Sequence, residues 1–76
     1  MRDVPPQDAG LTDLEIRIVR AVARWGTIAG AADELGMSHN TVRNRLSDIY
    51  RNAGVTGLLG LVVWAHRTRV VDLDEL

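Results

Sequence analysis

The chain must reverse at Leu35-Gly-Met-Ser38, and that reversal constrains everything on either side of it. Before it runs Thr27-Ile-Ala-Gly-Ala-Ala-Asp-Glu-Leu35, in which Thr27 can cap a short helix and Ile28, Ala31, Ala32 and Leu35 recur at helical spacing. Gly36 can enter the left-handed backbone region that ends a helix without a side-chain clash. Ser38 then offers an oxygen to the free amides of a second helix. With residues set about 100° apart around that helix, Val42, Leu46, Ile49, Tyr50 and Ala53 form one apolar stripe. Two amphipathic helices joined by about three or four residues form a helix-turn-helix pair. Ala32, small, suits the point where the two cross.

The opposite face of the second helix carries Asn40, Asn44, Ser47 and Arg51, flanked by Arg43 on one side and by Thr41, Arg45 and Asp48 on the other. Arginine pairs with a guanine edge through two hydrogen bonds and asparagine with an adenine edge; threonine, serine and further arginines suit phosphate oxygens. Taken alone, the pattern fits an ordinary solvated helix face equally well, and the preceding short helix tips the balance toward a face that reads DNA. His39, in the first turn, is placed to touch a phosphate, although a solvated position explains it as simply. Gly30 stands mid-helix, where glycine costs about 1 kcal/mol relative to alanine. Close approach to phosphate, close approach to the first helix and tolerated strain all account for it.

The flanking helices follow from similar signals. Thr12 and Glu15 form a capping box, with Leu11 placed for a hydrophobic staple, so a first helix starts near Asp13. Its core face comprises Leu14, Ile18, Val19, Val22 and Trp25; Arg17, Arg20 and Arg24 fall on or near the other side, as a solvated arginine face, and Gly26 closes the helix. A last helix from about Gly57 to Arg67 is apolar nearly all round. Leu58, Leu61, Val62 and Ala65 suit the domain core, whereas Leu59 and Val63 point away, with Trp64 at the boundary. A chain of 76 residues has no second layer to cover them, so a second copy is the natural cover.

From Leu11 to about Val71 the chain resembles, without a gap, the LuxR-type or GerE-like DNA-binding domain. The resemblance rests on Leu11-Thr12, Glu15, Ala32, Leu35-Gly36-Met37-Ser38, Thr41-Val42-Arg43, Leu46, Ile49-Tyr50-Arg51, Gly54-Val55 and the pair Val62 and Ala65. It implies an all-α four-helix bundle whose third helix enters the major groove and whose fourth makes a homodimer. Carried over, Arg43, Asn44 and Ser47 fall on base-facing positions, and Thr27, Thr41, Arg45 and Arg51 on backbone-contacting ones. Asn40 joins the first set and His39 the second from their places on the helix. The chain departs from the family at Ala29, often basic there, at Gly30, often glutamate, and at Thr56-Gly-Leu-Leu-Gly60, usually polar or basic. Phosphate binding weaker than the family norm is the consequence.

A formal net charge of −1 argues against DNA, since DNA-binding proteins are commonly basic. The charge is unevenly spread, however: Arg43, Arg45 and Arg51 oppose Asp48 on the reading helix, while Asp72, Asp74 and Glu75 gather at the C-terminus. Local field governs binding more directly than total charge. All nine basic residues are arginine, as in proteins of GC-rich genomes. The absence of cysteine fits a reducing compartment, and neither an apolar leader nor a membrane-length span is visible, so a soluble cytoplasmic protein is expected. Residues 1–10, with Pro5-Pro6, read as a flexible arm, 11–71 as the DNA-binding domain and 72–76 as an acidic tail.

No cofactor or metal is implied. His39 and His66 are separated by the length of two helices, Asp33 and Glu34 point to different sides, and no glycine-rich loop follows a strand, so an enzyme is not expected. His66, near a helix C-terminus, reads as a dipole contact. The sequence as a whole points to a homodimeric, sequence-specific transcriptional regulator acting on double-stranded DNA. The alternatives are a protein-interaction module that binds RNA polymerase or another regulator, and a unit like region 4 of a sigma factor.

Overall fold

The computed structural model describes residues 10–71. The proposed arm, apart from Gly10, and the acidic tail lie outside the described residues. Four helices follow one another: α1 (Asp13–Trp25), α2 (Ile28–Leu35), α3 (His39–Ala53) and α4 (Leu58–Arg67). The described fold is an all-α helix-turn-helix bundle in which α1 packs against each of the other three, α2 against α3, and α3 against α4. No helix among the described residues is long and apolar enough to cross a membrane.

The start of α1 is fixed by the capping box. The Glu15 amide donates to Thr12 Oγ1 at 3.1 Å, and the Thr12 amide donates back to Glu15 Oε1 at 2.9 Å. Two donors that α1 would otherwise leave unpaired are thereby satisfied. Leu11 and Ile16, the residues a hydrophobic staple would join, are both buried in the core.

The turn between α2 and α3 is three residues long. Gly36 takes φ +67°, its amide donating to Asp33 O at 3.3 Å, and the Met37 amide donates to Ala32 O at 3.0 Å. This double closure is a Schellman motif, and it lets Met37 pack against the core that α2 has just left. Ser38 Oγ then accepts from the Thr41 amide at 3.1 Å and opens α3.

Ile18, Val19, Val22, Val42, Leu46, Ile49 and Leu61 are buried together with Ala21, Ala31, Ala32 and Ala65. Each of the larger side chains contributes about 1.5–3 kcal/mol by leaving water. The alanines lie where helices approach, and their size lets α2 seat closely.

Two assignments made from the sequence change. Trp25 is not core: it is 54% exposed, at the point where α1 leaves the bundle. The arginines of α1 are not a uniformly solvated face, because Arg20 Nε donates to Val70 O at 3.0 Å and Arg24 pairs with Glu34. His66 does stand in the last turn of α4, and its ring bonds back onto the helix: Nδ1 donates to Val62 O at 2.9 Å, while Nε2 is buried with no partner among the described residues. Val70 and Val71, which no periodicity assigned to a face, are fully buried core residues. After α4 the chain passes through Arg69 at φ +65° and turns back on itself. Arg20 and the Val71 amide, which donates to Ala65 O at 3.2 Å, hold this C-terminal hook in place.

Candidate nucleic-acid interface

The apolar stripe of α3 is buried through Val42, Leu46 and Ile49 and half-buried at Tyr50 and Ala53. Every α3 residue proposed as a contact lies outside that stripe. His39, Asn40, Thr41, Arg43, Asn44, Arg45, Ser47 and Arg51 are all exposed, and the helix brings them together on one outward surface. Thr27 is also exposed, at the start of α2.

Their hydrogen bonds divide them. Ser38 Oγ and Thr41 Oγ1 lie 2.7 Å apart, so the cap of α3 already engages the Thr41 hydroxyl. Thr27 Oγ1 accepts from the Gly30 amide at 3.0 Å, which leaves its proton to donate outward. Arg43 Nη1 donates to Asn40 Oδ1 at 2.9 Å. Ser47 Oγ donates to Arg43 O at a long 3.4 Å, a hydroxyl bonding back onto its own helix. Arg51 Nη1 lies 3.3 Å from Asp48 Oδ1, both largely exposed; such a pair is worth little and is screened by salt. His39, Asn44 and Arg45 have no side-chain partner among the described residues.

The charge of the described region differs in sign from that of the chain. Residues 10–71 hold eight arginines against five carboxylates, a formal +3, and the remaining residues bring the total to −1. The described residues thus carry a basic balance, and local charge weighs more directly on binding than the total does.

The joint between α1 and α2 is locked from both sides. Arg24 Nη1 lies 2.6 Å from each Glu34 oxygen, and Trp25 Nε1 donates to Glu34 Oε1 at 2.7 Å. The hydrogen bond from Arg24, followed by that from Trp25, holds the Glu34 carboxyl below its ordinary pKa of 4.5. Beside it, a Cβ on Gly30 would lie 2.8 Å from Trp25 Cβ and 2.9 Å from Trp25 Cγ. Of the three explanations for Gly30, close approach to the first helix is the one the structure supplies. The lock ties the first helix of the motif to α1, so α2 and α3 are held to the scaffold that carries them.

Over 65 residues the chain is 29% identical to the transcriptional regulatory protein YdfI of Bacillus subtilis (strain 168). The similar stretch covers 86% of this chain and 30% of that protein, so the chain spans about a third of its relative's length. No protein-family model matches the chain, and no solved structure matches it.

A second surface lies on α4. Leu59 is 79% exposed and Val63 47%, with Trp64 half-buried beside them. Next to Leu59 is an apolar groove of about 380 Å³ between the end of α1 and the start of α4, lined by Ala23, Gly26, Leu58, Leu59 and Val62. Sequence reasoning found the outward α4 residues but not the groove, the Glu34 lock or the hook. The only signal for the hook was the apolar pair Val70-Val71 between Arg69 and Asp72.

Proposed function

We propose that this chain is a transcriptional regulator that binds double-stranded DNA sequence-specifically, inserting the outer face of α3 into the major groove. The observation that carries the reading is the exposed set Asn40, Thr41, Arg43, Asn44, Arg45, Ser47 and Arg51 on one side of a helix, joined by a three-residue turn to α2. The formal +3 charge of the bundle and the similarity to a protein named as a transcriptional regulator support it. Arg43 and Asn44 meet base edges; Thr27, His39, Thr41, Arg45 and Arg51 meet the sugar-phosphate backbone. The pattern is that of the LuxR-type domain the sequence resembles, and the reading requires neither a metal nor a cofactor nor catalysis.

The exposed Leu59 and Val63, with the groove beside them, support association of two copies through α4. Two reading helices then meet a roughly palindromic site with half-sites about one helical turn apart. Selection of bound sequences from random duplexes at fixed ionic strength tests the proposal. Enrichment of a palindromic motif is the expected result; recovery of unenriched DNA, or of none, overturns it and favours a module that binds RNA polymerase or another protein.

A further inference from the structure

We propose that Asn40 is a positioning residue for Arg43: its amide oxygen sets the guanidinium at the angle from which Arg43 meets a guanine edge, and Asn40 makes no base contact of its own. The inference rests on the reading of α3 as the DNA-facing helix.

The three arginines of that face are in three different situations. Arg51 faces the Asp48 carboxylate, which opposes its charge. Arg45 has no side-chain partner among the described residues. Arg43 is held by a neutral acceptor, Asn40 Oδ1, at 2.9 Å. A neutral amide orients a guanidinium without cancelling its charge, and the remaining N–H donors stay free for a ligand.

The spacing makes the pair local and stable in direction. Positions i and i+3 are neighbours on a helix surface, and Asn40 stands in the first turn, which Ser38 and Thr41 already cap without its help. Its own amide is therefore not needed to satisfy the helix end. Asparagine reads adenine by presenting its oxygen and its NH₂ group together. With Oδ1 accepting from Arg43, one of its two lone pairs is already engaged in the free protein. What remains is a side chain whose effect on sequence preference passes through Arg43. A long side chain ordered before binding has less freedom to lose on binding, so the effect falls on the discrimination that Arg43 makes.

Two measurements test this. In the free protein, NMR relaxation of the Arg43 side-chain Nε should show a more mobile guanidinium in Asn40→Ala than in the wild type. On DNA, the wild type, Asn40→Ala, Arg43→Ala and the double variant are titrated with the selected duplex and with duplexes changed at each base pair of the half-site. Asn40→Ala should lose up to about twofold in discrimination, at the same base pair as Arg43→Ala, with an unchanged salt slope. The double variant should match Arg43→Ala alone.

Loss of discrimination at a different base pair, uniform weakening with a shallower salt slope, or unchanged discrimination overturns the proposal, as does unchanged Arg43 mobility. If the wild type itself shows no preference among duplexes, the DNA reading fails and this inference with it. That result is distinct from the others, because there the wild type discriminates and only the Asn40 variant departs from expectation.

Discussion

Gly30 illustrates how a contact overrides a propensity. Alanine would favour the helix by about 1 kcal/mol, yet its Cβ would lie 2.8 Å from Trp25 Cβ, an atom next to the α1 backbone. Overpacking of this kind costs about 1–3 kcal/mol, so Gly30→Ala should destabilise the protein in denaturant titrations. Gly60→Ala, whose Cβ would meet Val55 Cβ at an ordinary 3.5 Å, should stabilise it by up to about 1 kcal/mol in dilute solution. Glu34 makes a pH-dependent prediction. Because its pKa is lowered in the folded state, it contributes stability in full above 4.5, and that contribution is lost as the pH falls from there through the lowered value. Thermal melting in acid should therefore decline more steeply for the wild type than for Glu34→Gln. Neither feature could be read in the sequence. Gly30 was visible as an anomaly, but which neighbour excluded a side chain depended on how α2 docks, and the bonds from Arg24 and Trp25 to Glu34 span nine or ten residues with no periodic signal.

At the scale of elements, α3 combines a buried stripe that fixes its rotation with an outer face whose charges are partly opposed. Asp48 is the acidic residue on that face, and it sits within reach of Arg51. Asp48→Asn removes a repulsive charge and frees Arg51 for phosphate, so binding to any duplex should tighten and the salt slope should steepen by up to about one counterion. Titrations at several salt concentrations check this; unchanged affinity on specific and scrambled duplexes alike would place α3 away from the phosphates. The starts of the first three helices were legible because each is announced locally: Thr12 with Glu15, Thr27, and Gly36 with Ser38 all lie where the sequence placed them. Trp25 was misread because periodicity assigns a residue to a face without saying where the bundle stops. It occupies the last turn of α1, where the core face has run out of neighbours.

At the scale of the whole molecule, the bundle is closed by a segment that forms no helix. Val70 and Val71 are buried as completely as the centre of α1, and replacing either by alanine should cost about 2 kcal/mol in unfolding experiments. Periodicity could not reveal them, since two adjacent apolar residues after a helix have no pattern to match, and their burial depends on the reversal at Arg69. The opposite side of α4 is open, and replacing Leu59 and Val63 together by glutamate should leave helical monomers. Sedimentation over a concentration series measures it, and a wild type that stays monomeric at high concentration sinks the α4 dimer. Two places in the fold can also be watched separately, because the chain contains two tryptophans, one at the end of α1 and one on α4. Trp25 is hydrogen-bonded to a carboxylate that titrates, at the joint that carries the helix-turn-helix pair. Trp64 is half-buried beside the exposed residues of α4. Their fluorescence makes the protein its own gauge: in single-tryptophan variants, Trp25 emission should follow the titration of Glu34, and Trp64 emission should follow dilution.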